Sequence, residues 1–551
     1  MSQPQVNEYL HRIKSHVEMR GVQFSLYFGF WLVALMLGIV SGAAAVVFRI
    51  GIEWFQSTAY GTSDVSRLHS FAKTLSWYWV VLIPTLGGVI VGLIFHLMTQ
   101  DGRVRSVADV IEAAALRDGR VEMKEGWASA MASFITLSTG GSAGREGPVV
   151  HIAAMISTKV CTWLGAQGVT ARDLLGCAVA AAVSASFNAP IAGAIFALEV
   201  ILRHFALHAF APIVIASVAG AVVHQLVFGD FKEFNLPLSN SLSFYAEIPA
   251  FMILGLVCGL VAVVMMRSIF MADDVASKVQ NHLNLPRFLR PAVAGLLLGG
   301  IATQFPVIIG VGYETTFAAL KGQLVWSAAI VFAVVKVAAV AITMGGRMGG
   351  GVFSPALMVG ALTGLAFGDI ATSIIPDLSG GYAIYALAGM AAVAAAVLSA
   401  PISTTLIVFE MTGDWQTGLA VLVAVSLASA LSARFVDRSF FLTQLQRRGI
   451  DLAAGPQSYV LALVANRDVM TPIETPTTDH WTMVEEGTFV SEFGTLKGAM
   501  PVFQRTHSAV LPVLRVAGKD QPAQIIGLLY EVDALRAYAK ALADTAAEEH
   551  S

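Results

Sequence analysis

The chain has 551 residues, of which 56% are hydrophobic and only 13% are charged. A soluble domain carries about 25% charged residues, so the composition excludes an ordinary soluble protein and indicates one with many membrane spans. A formal net charge of −3 provides no basic excess for a nucleic-acid partner. The three cysteines lie in apolar segments without metal-ligand spacing, and we expect no cofactor or metal.

The N-terminal part of the chain alternates between polar and apolar stretches. Residues 1–21 are polar and basic without a cleavable signal pattern, which predicts cytoplasmic termini and location in a bacterial inner membrane. Residues 24–48 and 77–98 are long and apolar enough to span the lipid bilayer. Residues 99–126 then become polar, around a short amphipathic piece at 106–116.

A glycine-rich turn, Gly144-Arg145-Glu146-Gly147-Pro148, opens the next apolar helix. Pro148 suits the first helical turn, where its missing N–H costs nothing. The N–H groups at a helix start and the helix dipole both favour an anion there. A carboxylate at membrane depth is costly unless it functions, which makes Glu146 a candidate functional residue. The alternative interpretation is a glutamate that caps a solvent-exposed helix.

The chain contains an internal repeat with four landmarks in the same order in each half. They are a glycine-rich break that ends in proline (Pro148 and Pro355, 207 residues apart), an alanine-rich run, an Ala-Pro-Ile sequence (Pro190 and Pro401, 211 residues apart) and a glutamate nine residues later (Glu199 and Glu410). Helices broken by glycine and proline at membrane depth are typical of transporters and channels. We therefore predict two repeats, about 22–228 and 245–449, that pack around a pseudo-twofold axis.

These motifs resemble those of the CLC family of chloride channels and chloride/proton antiporters over about residues 21–449. The specific sequences are G-R-E-G-P at 144–148, G-V-F-S-P at 351–355 and F-N-A-P-I-A-G at 187–193. The resemblance implies an all-α polytopic membrane protein with the CLC-type inverted-repeat bundle, a homodimer with a chloride pore in each subunit, and Glu146 as the gate. It also implies an anion site formed by Gly144, Arg145, Gly147, Gly351, Val352, Phe353, Ser106 and Phe441.

Two anion contacts of the family are altered here. The usual G-S-G-I-P sequence is replaced at residues 104–110, where the family serine falls on Arg105 with Ser106 next to it. Either residue can face the ion, or the turn is rebuilt. The inner tyrosine of the family falls on Phe441, which removes a hydroxyl ligand and leaves either a constriction of the pore or core packing.

Proton coupling is the third departure from the family. Antiporters often carry an inner glutamate at the position of Val200, and valine cannot relay a proton. Because Glu199 has a counterpart in Glu410, we expect both to bond backbone amides rather than to act in transport. The preferred function is channel-like or weakly proton-coupled chloride flux; a coupled chloride/proton antiporter is the alternative, and fluoride export is a distant one. We expect His151, one turn after Glu146, to be a packed helix histidine, and we expect no enzyme activity.

The last hundred residues differ in character from the rest. Residues 455–551 have no spanning segment and contain strand-like pieces at 509–516 and 524–530. They resemble a single CBS motif, which predicts a small cytoplasmic α/β domain. Such motifs work in pairs, so we expect this half-module to pair with that of a second subunit as a dimer clamp; nucleotide binding is not predicted.

Overall fold

The chain folds as two compact units. The larger comprises Met1–Phe205 and Ala209–Thr443, and the smaller comprises Ala206–His208 and Gln444–Ser551. The computed structural model describes residues 3–62, 64–205, 207–229, 244–374, 376, 381–412, 414–436, 439–450, 452, 461, 464–473, 475–515 and 524–550. The predicted start of the C-terminal domain at 455 and residues 230–243, between the two predicted repeats, lie outside these residues.

The first half of the larger unit consists of helices of very unequal length. They are α1 (Gln3–Tyr60), α2 (Leu68–Ala72), α3 (Trp77–Met98), α4 (Val107–Leu116), α5 (Met123–Ser138), α6 (Glu146–Leu164), α7 (Gly168–Phe187), α8 (Pro190–Phe196) and α9 (Leu207–Phe228). A π-helical segment, Ala197–Leu202, follows α8, and a 3₁₀ turn, Val65–Arg67, precedes α2.

The second half repeats this mixture of long and short helices. They are α10 (Phe244–His282), α11 (Arg290–Ala302), α12 (Tyr313–Leu320), α13 (Trp326–Gly345), α14 (Phe353–Ile374), α15 (Tyr382–Leu398), α16 (Pro401–Thr412), α17 (Trp415–Phe435) and α18 (Phe440–Gln446). Further 3₁₀ turns lie at Arg287–Leu289 and Pro306–Ile308.

Within the described ranges, eight helices are long and apolar enough to cross a membrane, and the chain is an integral membrane protein. The span predicted at 77–98 is α3, and the one predicted at 24–48 lies within the longer α1. Other helices are too short to cross a bilayer, since a spanning helix needs about 20 residues: α4 has 10 and α8 has seven. This mixture confirms the predicted all-α bundle with broken helices.

The two repeats turn their chains in the same way. α7 ends at Asn188 and α15 at Ser399, both in the left-handed conformation, with φ of 53° and 55°. A left-handed residue after the last helical one is a common helix terminator. In each repeat the next helix starts at a proline, Pro190 for α8 and Pro401 for α16, where the missing N–H costs nothing.

Two glutamates join the repeats reciprocally. The Glu199 carboxylate accepts hydrogen bonds from the N–H groups of the second and third residues of α16, at 3.0 and 2.8 Å. The Glu410 carboxylate accepts the corresponding bonds from α8, at 2.9 and 2.8 Å. Each repeat thus satisfies N–H groups that the other leaves without a partner inside its own helix. The expected role of Glu199 and Glu410 as ligands of backbone amides is confirmed.

The smaller unit contains a four-stranded sheet in the order β1-β4-β3-β2. Its elements are α19 (Asn466–Val469), β1 (Thr471–Pro472), α20 (Thr478–Glu485), β2 (Val490–Ser491), α21 (Leu496–Thr506), β3 (Val510–Arg515), β4 (Gln524–Tyr530) and α22 (Glu531–His550). β3 pairs antiparallel with β4 and parallel with β2. Leu496, Phe503, Leu511 and Leu529 fill its core. The strands predicted at 509–516 and 524–530 are confirmed, and the arrangement fits the predicted CBS-like fold.

Candidate functional site

The two glycine-rich breaks hydrogen-bond to each other. The N–H of Gly144 donates to the carbonyl of Gly351, and the N–H of Gly351 donates to the carbonyl of Gly144, both at 2.7 Å. A Cβ on Gly351 would lie 2.9 Å from the backbone nitrogen of Gly147, closer than a real Cβ comes to backbone, so the close approach requires glycine. Gly350, with φ of +106°, has a backbone conformation that L-residues rarely adopt. This contact places the start of α6 against the start of α14.

Glu146 is the first residue of α6, and only 5% of its surface is exposed. Its Oε1 accepts a hydrogen bond from the hydroxyl of Ser354, in the first turn of α14. A Cβ on Gly144 would lie 2.5 Å from Oε2 of the same carboxylate. The carboxylate therefore lies where the two repeats meet. Sequence reasoning did not name Ser354 as a site residue, although the hydroxyl belongs to the G-V-F-S-P motif that it used.

A central cavity with an empty volume of about 480 Å³ lies beside this contact. Seven of the predicted site residues line it: Ser106, Glu146, Gly147, Gly351, Val352, Phe353 and Phe441. Four helices begin at the cavity wall, because Val107, Glu146, Phe353 and Phe440 are the first residues of α4, α6, α14 and the short α18. The N-terminal end of each carries partial positive charge and N–H groups that have no partner within the helix. Their convergence makes the cavity suitable for an anion.

The rest of the cavity wall is mostly aromatic and aliphatic. Phe353 packs edge-on against Phe187, with ring centroids 4.9 Å apart, and Phe440 packs against Phe441 at 5.7 Å. All four rings line the cavity. Phe441 therefore faces the cavity and supplies an apolar surface there.

Three predicted site residues do not line the cavity. Gly144 serves the backbone bridge between the breaks. The Arg145 side chain is buried, with its guanidinium 5.0 Å from the centre of the Tyr313 ring and bonded to the carbonyl of Ser186 at 3.4 Å. Val200 is buried in the π-helical segment after α8. Arg145 thus packs inside the protein instead of presenting its charge to the cavity.

The altered first motif forms a capped turn at the start of α4. The N–H of Ser106 donates to the carboxylate of Asp109 at 2.8 Å, within the first turn of α4. The Arg105 side chain forms ion pairs with Asp101 at 2.8 Å and Glu122 at 3.0 Å. Of the two residues considered for the missing family serine, Ser106 lines the cavity.

A second, charged pocket of about 260 Å³ lies under α4 and α6. It is lined by Arg103, Arg105, Asp109, Glu112, Ala113, Arg117, Arg120, Val121, Glu122 and His151. Hydrogen bonding from Arg117, with support from Arg105, holds the pKa of Glu122 below its ordinary value despite partial burial. Among the residues that the structure describes, no group of three or more His, Cys, Asp or Glu side chains is arranged to hold a metal ion.

Comparisons with known proteins place these motifs in a family. The family model "Voltage gated chloride channel" matches residues 87–433. The voltage-gated ClC-type chloride channel ClcB of Escherichia coli O9:H4 is 29% identical over 415 residues, covering 73% of this chain and 95% of that protein. Among solved structures, a slow cyanobacterial Cl⁻/H⁺ antiporter has a TM-score of 0.67 at 21% identity, covering 76% of this chain and 97% of that one.

A eukaryotic CLC transporter has a TM-score of 0.66 at 18% identity and covers 93% of this chain and 98% of that one. At these identities the two structures show a shared fold. The family model covers both glycine-rich breaks and both Ala-Pro-Ile sequences. The chain therefore belongs to the voltage-gated chloride channel (CLC) family of anion-transport membrane proteins.

Proposed function

We propose that the chain conducts chloride through the central cavity, with Glu146 as the gate and with channel-like or weakly proton-coupled flux. The observation that carries this proposal is the convergence of the N-termini of α4, α6 and α14 on one cavity. Backbone N–H groups and helix dipoles stabilise an anion without a fixed positive charge that would trap it. Ser106, Gly147, Gly351, Val352, Phe353 and Phe441 are the proposed anion-contacting residues.

Glu146 can gate because its carboxylate and a chloride ion compete for the same positive helix ends. The carboxylate lies at the start of α14 and borders the cavity. Protonation neutralises it and removes its attraction to the helix dipole. At acidic pH the protonated Glu146 side chain is therefore expected to leave the site, and anion flux should increase.

The inner side of the cavity supports the proposed coupling mode. A proton exchanged for chloride needs titratable groups along its path, and the position of the family's inner acid is Val200, buried away from the cavity wall. The apolar Phe441 stands where the family has a tyrosine hydroxyl. The second candidate function, coupled chloride/proton antiport, is favoured by the fold shared with a cyanobacterial antiporter.

The test uses purified full-length chain in liposomes loaded with chloride, with and without an imposed proton gradient. For the unmodified protein we expect chloride efflux that rises with acidity, and little or no uphill chloride movement driven by protons. Glu146→Gln mimics the protonated gate and should raise flux and abolish its pH dependence. Glu125→Gln, the same chemical change in α5 at a residue that does not line the cavity, is the matched control.

The outcomes separate the alternatives. A folded Glu146→Gln variant with parental flux at every pH contradicts the gate assignment. Uphill chloride uptake at a fixed chloride-to-proton ratio identifies a coupled antiporter. Parallel flux measurements with nitrate and fluoride determine selectivity, and a preference for fluoride would identify the remaining alternative, a fluoride exporter.

We further propose a homodimer in a bacterial inner membrane, with cytoplasmic termini and a pore in each subunit. The CBS-like unit is proposed to contact its counterpart in the second subunit. Because the transmembrane unit offers the larger apolar surface, a chain ended near residue 455 should remain dimeric in mild detergent. Finding only monomers would identify the C-terminal unit as the essential dimer contact.

A further inference from the structure

One histidine of α6 lies between the central cavity and the charged pocket. Glu146, Gly147 and Val150 line the central cavity, whereas His151, the next residue, lines the charged pocket. Only 2% of His151 is exposed. Five residues along a helix correspond to a rise of about 7.5 Å, so His151 lies just over one turn from the gate. Helix α6 therefore passes between the two cavities with a titratable group facing each.

The wall between the cavities is thin at Ser106. This residue lines the central cavity, and its backbone lies within hydrogen-bonding reach of the His151 ring. Neither ring nitrogen makes a hydrogen bond of full geometry with a described residue. A buried polar group without such a bond costs about 1–3 kcal/mol, so packing alone does not account for a histidine here.

The groups that face His151 are charged and largely paired. Its acidic neighbours are Asp109 and Glu112 on α4 and Glu122 in the loop that follows. Its basic neighbours are Arg103 and Arg105 before α4, and Arg117 and Arg120 after it. On the α5 side, Gly126 lies against the ring: a Cβ there would lie 2.9 Å from Nε2 of His151.

The charged pocket belongs to the same side of the membrane as the N-terminus. Two spanning helices, α1 and α3, precede the polar segment at 99–122, and two crossings return the chain to its starting side. The stretch 99–126 contains five Lys and Arg residues, which is typical of the cytoplasmic side. The pocket thus provides cytoplasmic water with a polar route to His151.

We propose that His151 carries protons between the charged pocket and Glu146, so that cytoplasmic acid opens the gate. The neutral imidazole accepts a proton at one nitrogen and the imidazolium releases one from the other, past Ser106 into the central cavity. Glu146 receives this proton and becomes neutral, while His151 returns to its starting form. The step rests on the proposed gate at Glu146, and it offers a cytoplasmic proton path that does not pass through residue 200.

The test is anion current through excised membrane patches from cells expressing the full chain, because each face can then be acidified separately. For the unmodified protein, cytoplasmic acid should raise the current by up to about tenfold per pH unit, the limit for one proton. His151→Gln keeps a polar side chain of similar size but cannot titrate, and should lose most of this response while still responding to acid on the opposite face. His151→Leu, which also cannot titrate, should lose the cytoplasmic response in the same way.

The controls separate this inference from the gate itself. Glu146→Gln should lose the response from both faces; if it keeps them, the gate assignment fails. If Glu146→Gln loses both responses and a folded His151→Gln variant still responds fully to cytoplasmic acid, the proton path through His151 is wrong. Asp109→Asn leaves the histidine in place and removes a negative charge that favours its protonated form, so the midpoint of the cytoplasmic response should move to lower pH. An unmoved midpoint contradicts the proposal.

Discussion

Glutamates join the two repeats at two places, and they do so in different ways. At the proposed gate contact, defined by Glu146 and Ser354, a carboxylate oxygen accepts a hydrogen bond from a side-chain hydroxyl, beside the central cavity. At the amide clamps, defined by Glu199 and Glu410, each carboxylate accepts two bonds from backbone N–H groups of the other repeat. The residue type is the same, but the donors differ.

The difference bears on why we propose Glu146 as the gate and regard Glu199 and Glu410 as structural. A hydroxyl can rotate away at little cost, and a carboxylate beside a cavity has somewhere to go. Backbone N–H groups are fixed by their helix, and removing their acceptor leaves two donors unsatisfied. The rigidity of these donors, together with access to the cavity, therefore separates Glu146 from Glu199 and Glu410.

The largest expected effect comes from breaking a clamp. In Glu410→Ala, two N–H groups of α8 lose their acceptor, at about 1–3 kcal/mol each, so the variant should be less stable by about 2–6 kcal/mol. Glu410→Gln keeps an acceptor oxygen and should lose less. The measurement is thermal unfolding in mild detergent, monitored as the fraction of protein that remains monodisperse after heating. If Glu410→Ala unfolds at the same temperature as the parent, the clamp does not stabilise the fold.

A smaller effect is expected at the gate contact. Ser354→Ala removes the hydroxyl that holds the Glu146 carboxylate, and a hydrogen bond to a charged group contributes about 1.5–3 kcal/mol. The carboxylate should leave more often, so chloride flux at neutral pH should rise about tenfold, with little change in thermal stability. Ser354→Thr, which keeps the hydroxyl, is the control. Flux no higher than that of the parent would show that Ser354 does not hold the gate.

The sequence alone predicted which glutamates are important, but it did not predict which distant residues they and Arg145 contact. Motif spacing predicted the repeats, the gate candidate and the amide role of Glu199, because these depend on local backbone rules and on residue types. Ser354, whose hydroxyl bonds to Glu146, lies 208 residues away in the chain. Only the fold decides which hydroxyl reaches the carboxylate. The direction of Arg145, toward the Tyr313 ring, likewise depends on packing between distant segments. The predicted domain boundaries stay predictions.

The variant Val200→Glu tests whether an acid next to Glu199, in an amide clamp, can act in proton transport. Its neighbour Glu199 bonds amides of α16, and Val200 itself is buried and does not line the cavity. Val200→Glu should therefore create no strong proton coupling, and burial of a new carboxylate should lower stability modestly. Proton-driven chloride uptake in liposomes is the measurement, with Val200→Gln as the control for size. Uphill uptake by the glutamate variant alone would show that this position is connected to the pore.

The smallest effect is expected where a carboxylate outside the membrane is held by a flexible cation. Glu492 and Arg515 form a hydrogen-bonded ion pair at 2.9 Å, and the Arg515 side chain is 55% exposed. Hydrogen bonding from Arg515 holds the pKa of Glu492 below its ordinary value, so the stabilisation is present above a pH of about 4.3 and is lost as the pH falls through the lowered value. Solvent screening keeps the contribution small.

In the full chain, Glu492→Gln should therefore speed hydrogen exchange of β3 slightly at neutral pH and reduce the acid sensitivity of that exchange. The Glu485→Gln variant, in α20, is the control, and equal acid sensitivity in the Glu492→Gln variant and the parent would show that this pair contributes nothing.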